Sequence, residues 1–490
     1  MQLRISSRKS DLARIQAYQV GEAIKAHHPN LEIIYQFRSS LGDQNQEDPL
    51  WKMPSKGVFT EDFKKDLLSG EADLVVHSWK DLPTAMGDET HIACTLPRAD
   101  SRDLLLFKKI SLGKGHLNLL SSSPRRSWNL TPLLAQLMPF KVSKLDFSIV
   151  RGNVQTRIRK LLENPEADGL IVAKAALDRL LSAEKSEFEE TQIFIREALN
   201  HLSFMVLPLS ENPTAAAQGA LAVEIRNDRN DLVKILKPLN CQNTFEEAQS
   251  ERNLLSEFGG GCHLALGMSV RLFENFKITH IKGKTPQEKL VEKHDLQMNQ
   301  VPIRPPFQPD KSWSSSQLIK TRSPLPSFHL DPGAWVVSRT EALPNENKYS
   351  DDYFFWVAGL ETWKKLAEKG HWVMGCHDGL GGGENVPLQS LLPQARWKIL
   401  THSSHPQLDP KRHKVTYSMN LTGCPPESTQ NFYWRSASDF EYVTSLGFDF
   451  KDTFHACGPG STYDHLQNKI QREKLAVYAS EEHWRLSWQK

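Results

Sequence analysis

The sequence predicts an α/β protein of several domains, with mainly parallel sheets and an additional α/β domain at its C-terminal end. First, 490 residues exceed what one core holds, since domains have roughly 100–200 residues. Second, apolar runs alternate with helical patterns from residue 1 to about 240: DLVVHS (73–78) follows VFTEDFKKDLLSG, and LDFSIV (145–150) precedes RGNVQTRIRKLLEN. Third, the Pro- and Ser-rich stretch 301–333 predicts a linker, and residues 334–490 contain 8 of the 12 tryptophans.

Composition excludes several classes of function. Hydrophobic content of 39% with 24% charged residues is typical of a globular protein, and a net charge of +2 gives no bulk attraction to nucleic acid. The stretch MQLRISSRKSDLARIQ is too charged for a signal peptide, and no run reaches about 18 apolar residues. We therefore expect a cytoplasmic protein that binds neither membrane nor nucleic acid. Six cysteines without CxxC spacing predict thiols rather than disulfides or metal ligands.

The first elements place polar side chains at helix and strand ends. A strand predicted at 3–6 runs into a helix whose expected N-cap is Ser10, so Arg8 lies at the mouth of the helix N-terminus. Further on, Lys56 and Phe59 flank a glycine, and we interpret this segment as a hinge that carries a cation and an aromatic lid.

The strand at 73–78 is followed by Lys80 and Asp81, and Pro83 then ends regular structure. An acidic residue beside a lysine at a strand exit is commonly a satisfied ion pair in a loop. The alternative is a carboxylate that handles protons or stabilises a developing cation in a cleft.

Later strand-to-helix junctions repeat the pattern with arginines. Ser123 is the expected N-cap of the next helix. The arginines at these junctions are Arg125, Arg126, Arg151, Arg157 and, after a strand at 170–173, Arg179. Cations at a helix N-terminus oppose its dipole unless an anion binds there, and open α/β sheets bind ligands at the carboxyl ends of strands. The cluster predicts a ligand with phosphate or several carboxylates; the alternative is that each arginine is a solvated surface charge.

The stretch EFGGGCHLALG (257–267) places Cys262 on a loop. Three glycines indicate a turn, or a place where something bulky must approach the backbone closely. A cysteine hydrolase is an alternative use of this thiol, but the adjacent His263 is poorly placed to act as its base.

Eight of these stretches together resemble the hydroxymethylbilane synthase (porphobilinogen deaminase) family over residues 1–300. The motifs are RISSRKSDLA, KGVFTEDF, DLVVHSWKDLPT, RADSRDLLLF, SSSPRR, RGNVQTRIRKL, AAAQGALAVEIR and ERNLLSEFGGGCHLALG. The resemblance implies two periplasmic-binding-protein-like domains around a cleft and a small α/β third domain. It also implies an enzyme of porphyrin, tetrapyrrole and heme biosynthesis, a transferase that joins four porphobilinogen molecules into hydroxymethylbilane and releases ammonia.

The domain boundaries expected on this basis are 1–100 plus 214–240 for domain 1, 101–213 for domain 2, 241–300 for the small domain, 301–333 for the linker and 334–490 for the C-terminal domain. We expect a monomer. A non-catalytic anion-binding module of the same fold is the alternative; it would share the arginines, yet would need neither Asp81 nor Cys262.

By resemblance, Asp81 is the catalytic carboxylate, and Lys80 beside it binds the carboxylates of the cofactor. Cys262 carries that cofactor, a dipyrromethane, in covalent linkage, and no metal is implied. The residues implied in substrate and cofactor binding are Arg8, Ser10, Lys56, Phe59, Ser123, Arg125, Arg126, Arg151, Arg157, Arg179 and Gln218.

Three positions depart from the family pattern: Trp79, Pro124 and Ala217. Ala217 replaces a usual glycine, so a positive φ at this position would cost about 1 kcal/mol. That substitution puts the cleft-lining role of Gln218 in question.

The C-terminal domain carries two glycine-rich stretches, WVAGLETWKKLAEKGHWVMGCHDGLGGG and FHACGPGSTYDHLQNKI. Both resemble helix starts of uroporphyrinogen-III synthase, which cyclises hydroxymethylbilane; this implies that Thr462 and Tyr463 lie near a second active cleft. A non-catalytic α/β appendage is the alternative. The Cys and His residues here fit no standard metal-ligand spacing.

Overall fold

The computed structural model describes residues 2–39, 61–260, 264–299, 308–325, 330–343, 349–383, 385–406 and 408–487. Lys56, Phe59 and Cys262 lie outside the described residues. The chain divides into two compact units. Unit 1 comprises 1–135, 141–271 and 280–293, and unit 2 comprises 136–140, 272–279 and 294–490.

The described strands are as follows: β1 (Gln2–Arg8), β2 (Glu32–Arg38), β3 (Leu74–Ser78), β4 (Thr90–Cys94), β5 (Asp103–Lys108), β6 (His116–Leu120), β7 (Lys144–Ser148), β8 (Gly169–Ala173), β9 (Leu202–Val206), β10 (Leu221–Arg226), β11 (Leu266–Leu272), β12 (Phe276–Lys284), β13 (Leu290–Met298), β14 (Ser312–Ser314), β15 (Ile319–Pro324), β16 (Gly333–Val337), β17 (Tyr353–Val357), β18 (Val373–Cys376), β19 (Trp397–His402), β20 (His413–Thr422), β21 (Asn431–Trp434), β22 (Phe454–Cys457) and β23 (Leu475–Val477).

The described α-helices are as follows: α1 (Asp11–His27), α2 (Glu61–Ser69), α3 (Pro124–Leu137), α4 (Val154–Glu163), α5 (Lys174–Leu181), α6 (Glu189–Asn200), α7 (Asn230–Leu236), α8 (Gln242–Glu257), α9 (Leu360–Glu368), α10 (Ala437–Ser445), α11 (Ser461–Leu466) and α12 (Glu481–Leu486). The predicted helix starts at Ser10 and Ser123 are confirmed, since α1 and α3 begin at the next residue; the Ser10 side chain makes no capping hydrogen bond.

The first sheet of unit 1 has the order β2-β1-β3-β10-β4. Its strands form because apolar residues at alternate positions, such as Leu3 and Ile5, face a core that also contains Val20 and Ile24 from α1. Strand β1 pairs in parallel with β2 and β3, whereas β10 runs antiparallel to both β3 and β4.

The second sheet of unit 1 has the order β7-β6-β8-β5-β9. Strand β5 is buried at every position and pairs antiparallel with β8 and β9, and β6 pairs in parallel with β7 and β8. The predicted α/β class is therefore confirmed. The expectation of mainly parallel sheets between residue 1 and about 240 is not met, because four of the eight described strand pairs in these two sheets are antiparallel. The chain passes from the first sheet to the second after β4 and returns at β10. The strands next to these two crossings, β4 and β5 and then β9 and β10, pair antiparallel with their neighbours. The predicted domain boundaries stay predictions.

A third sheet has the order β11-β12-β13. The long helix α8 precedes β11 in the chain, and the pattern TFEEAQSERNLLSEF predicts this helix. Buried residues of β11 and β12, such as Leu266, Met268 and Ile281, form a small separate core.

Unit 2 contains two sheets, in the orders β14-β21-β22-β23 and β15-β20-β19-β16-β17-β18. The four-stranded sheet is parallel, and in the six-stranded sheet β15 alone pairs antiparallel with its neighbour among the described strands. The first glycine-rich stretch runs from β17 through α9 and β18 into its glycines, and the second runs from β22 through a glycine-containing loop into α11. Their loops touch, because a Cβ on Gly460 would lie 2.6 Å from the carbonyl oxygen of Gly379.

The predicted linker 301–333 is wrong over its central part. Residues 312–314 form β14, which pairs with β21, and residues 319–324 form β15, which pairs with β20. Trp313 and Leu318 are buried in the core of unit 2. The sequence pattern conceals this because β14 is only three residues long and β15 is an exposed edge strand that ends in a proline, where proline is tolerated.

His455 in β22 is expected to make unit 2 acid-sensitive. Its Nδ1 accepts a hydrogen bond from Trp434 Nε1 at 3.0 Å, and its Nε2 lies 2.9 Å from Thr453 Oγ1, so the neutral ring with a proton on Nε2 fits the site. Burial lowers the pKa of His455 to about 3. Because an unfolded histidine titrates near 6.5, the unfolded state binds more protons between these values, and stability falls as the pH drops from about 6.5 toward 3.

From pH 7 to pH 4 we expect this group to remove about 3 kcal/mol of stability, measured as the shift in denaturant midpoint of the tryptophan fluorescence transition. His455→Gln cannot titrate, so its midpoint should move less between the two pH values. The exposed His483→Gln is the control and should behave like wild type. Equal pH sensitivity of wild type and His455→Gln would contradict the assignment.

Candidate active site

The turn after β3 presents Lys80 and Asp81 on a rigid base. Trp79 begins a single 3-10 turn; it is buried and packs edge-on against Phe245 of α8, with ring centroids 5.2 Å apart. Asp81 is exposed, and its carboxylate has no hydrogen-bond partner among the described residues. Lys80 Nζ donates to Gln218 Oε1 at 3.3 Å. Burial lowers the pKa of Lys80, and Arg126 adds to the effect although Asp81 opposes it.

Asp103, at the start of β5, is a fully buried hub beneath this turn. Its carboxylate accepts hydrogen bonds from Arg125 Nη2 at 2.8 Å and Arg126 Nη2 at 2.6 Å. Two amides complete its shell, Gln218 Nε2 at 2.9 Å and Asn212 Nδ2 at 3.0 Å. Burial alone would raise the pKa of Asp103, but the two guanidinium groups hold it well below its ordinary range. Asp103 is therefore an anion that fixes both arginines.

Arg125 and Arg126 differ in what remains of their donors. Arg125 Nη1 donates to the Pro213 carbonyl at 2.9 Å, so both ends of this buried guanidinium contact protein. Arg126 donates to Asp103 and to the Ile171 carbonyl, but its buried Nε has no hydrogen-bond partner among the described residues. Arg125 is therefore mainly a structural residue, whereas Arg126 keeps one N–H group that can still donate a hydrogen bond.

Arg157, at the start of α4, belongs to the same electrostatic cluster. Its Nε donates to the Gly152 carbonyl at 2.8 Å. Burial, followed by Arg126 and Arg151, lowers the pKa of Arg157 to about 10, while Asp81 acts in the opposite direction. These interactions bring residues from the exits of three strands into one neighbourhood, as the sequence predicted.

The start of α1 joins the start of α4. Gln155 Nε2 donates to Asp11 Oδ2 at 2.7 Å, which places the turn containing Arg8 and Ser10 beside the segment that begins at Arg151. Ser123 precedes α3 and is half-buried; its backbone N–H donates to Ser121 Oγ. The binding roles of these residues stay predictions.

The turn at Ala217 to Gly219 lies just before β10, where the chain returns to the first sheet, and it contacts the cluster of Lys80 and Asp103. Ala217 has φ = 62°, so this alanine adopts the positive φ that the sequence raises as a costly alternative at this position. Gln218 is only 1% exposed and bridges Lys80 to Asp103. Arg179 Nη2 donates to the Gly219 carbonyl at 2.8 Å, which directs this predicted ligand-binding arginine toward the backbone of the turn.

Sequence reasoning missed a buried ion pair that locks the same turn. Arg98 donates to both carboxylate oxygens of Glu251 in α8, at 2.9 and 2.8 Å. The same carboxylate accepts from the backbone N–H of Ala217 at 2.7 Å and of Val270 at 2.8 Å. Asp103 was also missed. A signal existed for it, since an acidic residue opening the apolar run DLLLF requires a buried partner.

The cluster fits a ligand that carries carboxylates. Four cationic side chains, Lys80, Arg125, Arg126 and Arg157, face two carboxylates, those of Asp81 and Asp103. The excess positive charge is partly buried, and Arg126 Nε is unpaired among the described residues. Buried cations without counterions are costly, so an anionic group is expected to complete the site.

The described residues contain neither a metal-binding cluster nor a membrane-spanning helix. No group of three or more His, Cys, Asp or Glu side chains in this part of the chain is arranged to hold a metal ion. No helix within the described ranges combines the length and apolar character needed to cross a bilayer.

Known proteins match the part of the chain that contains this cluster. The family described as "Porphobilinogen deaminase, dipyromethane cofactor binding domain" matches residues 3–234. A porphobilinogen deaminase of Syntrophomonas wolfei is 36% identical over 273 residues, which cover 55% of this chain and 81% of the relative. A porphobilinogen deaminase of Clostridium novyi is 32% identical over 298 residues, covering 60% and 92%, and one of Chromobacterium violaceum is 35% identical over 263 residues, covering 54% and 78%.

The alignments cover most of the length of each of these relatives. The matched segment of this chain includes the buried Asp103 and the Lys80–Asp81 turn. On this basis the chain belongs to the porphobilinogen deaminase family.

Proposed function

We propose that residues 1–300 act as a hydroxymethylbilane synthase, which joins four porphobilinogen molecules head to tail and releases one ammonia at each addition. The observation that carries this proposal is that an exposed carboxylate, Asp81, which has no hydrogen-bond partner among the described residues, interacts electrostatically with the cations Lys80 and Arg157. Porphobilinogen bears an acetate, a propionate and an aminomethyl group. Its condensation therefore needs both carboxylate recognition and stabilisation of a developing positive charge.

Recognition of carboxylates is assigned to Lys80, Arg126 and Arg157. Arg126 retains an unpaired buried donor, and Lys80 has a neutral partner in Gln218 Oε1. Arginine forks bind carboxylates in a bidentate manner, and their strength increases in a partly desolvated site. Asp103 holds Arg125 and Arg126 side by side through one hydrogen bond to each.

Asp81 is the proposed catalytic residue. Its carboxylate accepts hydrogen bonds from pyrrole N–H groups and stabilises the positive charge that develops as the C–N bond to ammonia breaks. The rigid turn anchored by Trp79 fixes the carboxylate before the substrate arrives.

A dipyrromethane would be held through Cys262, and when bound it would supply the pyrrole end to which the first substrate unit is added. The proposal also keeps the other contacts to substrate and cofactor that the sequence predicts. They come from Arg8, Ser10, Lys56, Phe59, Ser123, Arg151, Arg179 and Gln218. We further propose that the protein acts as a monomer in the cytoplasm.

Intact mass spectrometry tests the covalent anchor. We expect purified protein to be heavier than its sequence by one dipyrromethane, and Cys262→Ser to have the bare polypeptide mass. Cys241→Ser, which removes a partly exposed thiol elsewhere in unit 1, is the control and should keep the added mass. The bare mass in active wild-type protein would refute the anchor. The bare mass in protein that does not turn over porphobilinogen is the result expected of a non-catalytic anion-binding module.

A uroporphyrinogen-III synthase activity of the C-terminal region stays a prediction. Tyr463, expected near its cleft, is buried, and its hydroxyl accepts a hydrogen bond from Asn275 Nδ2 at 2.6 Å. The hydroxyl of Tyr463 is thus already engaged within unit 2.

A further inference from the structure

A row of polar side chains crosses four adjacent strands of the six-stranded sheet in unit 2. Its members are Arg322 in β15, Tyr417 in β20, His402 at the end of β19 and Arg339 two residues after β16; we call this set the histidine–arginine face. The register places them together, since His402 lies opposite Tyr417 and Arg322 lies opposite Met419, two positions from Tyr417 on the same side. The His402 and Tyr417 ring centroids are 5.6 Å apart.

Three buried polar atoms of this face have no hydrogen-bond partner among the described residues: His402 Nδ1, Tyr417 Oη and Arg322 Nε. His402 is 8% exposed and Tyr417 is 1% exposed. Leaving a buried donor without a hydrogen bond destabilises the folded state, and three such atoms in one place are unusual for a folded protein. Arg322 Nε can only donate a hydrogen bond, and His402 Nδ1 and Tyr417 Oη are also able to donate, so a group with several acceptor oxygens would satisfy all three.

The surrounding charge is positive. The face itself contains two cations, Arg322 and Arg339, and two more, Lys320 and Arg435, lie beside it. Two carboxylates oppose them, Asp439 and Glu341. The Asp439 carboxylate is buried and is neutralised by Lys320 Nζ, 2.7 Å from both of its oxygens. Glu341 is exposed and reaches Arg322 only at 4.0 Å. The guanidinium groups of Arg339 and Arg435 are exposed and make no ion pair within the described part of the chain.

The N-terminus of α10 points its dipole at the same place. Ser436 caps this nine-residue helix by accepting from the Asp439 backbone N–H at 3.3 Å. Ser438 Oγ, in the first turn, lies 3.3 Å from His402 Nε2. A helix N-terminus favours an anion, and here it adds to the cations and to the unpaired donors. Burial, with His405 and Arg339, lowers the pKa of His402 to about 4, so the ring is neutral near pH 7 and can donate from Nδ1 while Nε2 accepts from Ser438.

We propose that the histidine–arginine face is a binding site for an oxyanion ligand, one that bears carboxylate or phosphate groups. Arg339 and Arg435 attract the ligand from solvent, and Arg322, His402 and Tyr417 donate hydrogen bonds to its oxygens. The site belongs to unit 2 and does not depend on the function proposed for residues 1–300.

The test follows His402 directly, because arginines elsewhere in the protein also bind anions. Full-length protein labelled with ¹⁵N-histidine is titrated separately with citrate and with inorganic phosphate, and the His402 ring nitrogen signal is identified by its absence in His402→Asn. We expect a saturable shift of this signal with one or both probes. A shift with citrate alone identifies carboxylates as the ligand groups, and a shift with phosphate alone identifies phosphates.

Matched variants separate a specific site from general charge. Arg339→Gln combined with Arg435→Gln should weaken binding at least tenfold; both side chains are exposed, so the fold is expected to survive. Arg396→Gln is the control, since this exposed arginine immediately precedes β19, at the opposite end of that strand from His402, and it should bind like wild type. The proposal is overturned if neither probe shifts the His402 signal in wild type, or if the double variant binds as tightly as Arg396→Gln.

Discussion

Replacing Asp81 by Asn is expected to lower the rate of ammonia release from porphobilinogen by about 10³-fold, because the neutral amide cannot stabilise a developing cation. The carboxylate is exposed and has no hydrogen-bond partner among the described residues, so its loss should leave the melting temperature unchanged. The measurement is the initial rate of ammonia release at saturating substrate, alongside a thermal melt of the same sample.

Asp88→Asn is the matched control. Asp88 is an exposed carboxylate seven residues further along the same loop, before β4, and its substitution should preserve activity. Asp81→Glu keeps the charge on a longer side chain and should recover part of the rate. Near-normal turnover in Asp81→Asn would remove this residue from the catalytic role.

Replacing Asp103 by Asn should have the largest effect on stability. The substitution keeps the shape of the side chain but removes the charge that faces Arg125 and Arg126, leaving two buried cations without their counterion. Breaking a buried ion pair in this way costs about 3–5 kcal/mol. For a unit of this size we expect the melting temperature of unit 1 to fall by roughly 10 °C.

The control for Asp103 is Asp146→Asn. Asp146 also pairs with cations, Lys144 at 2.6 Å and His116 at 2.7 Å, but it is about half exposed, and surface pairs contribute about 0–1 kcal/mol. Removing one of the stranded cations should rescue part of the loss, so Asp103→Asn with Arg126→Met should be more stable than Asp103→Asn alone. A single Asp103→Asn variant as stable as Asp146→Asn would show that the hub does not hold the arginines.

The sequence was sufficient to predict the junctions that form the candidate site. The strand exits before Lys80 and Arg151 follow from apolar runs that end in polar residues, and the helix starts at Ser10 and Ser123 follow from capping preferences. These features depend on neighbours within a few residues, which is the range that periodicity and capping report.

Contacts between distant segments could not be predicted in this way. Asp103 meets Gln218, and Arg98 meets Glu251, over separations of more than a hundred residues. The division of labour between Arg125 and Arg126 is likewise invisible in the sequence, because it depends on which guanidinium nitrogen finds a carbonyl. The strands within 301–333 were missed because short edge strands lack an apolar period.

The position of β10 between β3 and β4 has a consequence for how the chain is made. A ribosome releases β1 to β4 first and then the whole second sheet, and only afterwards does it release Leu221–Arg226. At a synthesis rate of about 5–20 residues per second, the edge of β3 stays unpaired for roughly ten seconds before β10 is made. The nascent first sheet is therefore open to wrong partners during that interval, and the second sheet, whose strands are contiguous in the chain, is expected to fold first.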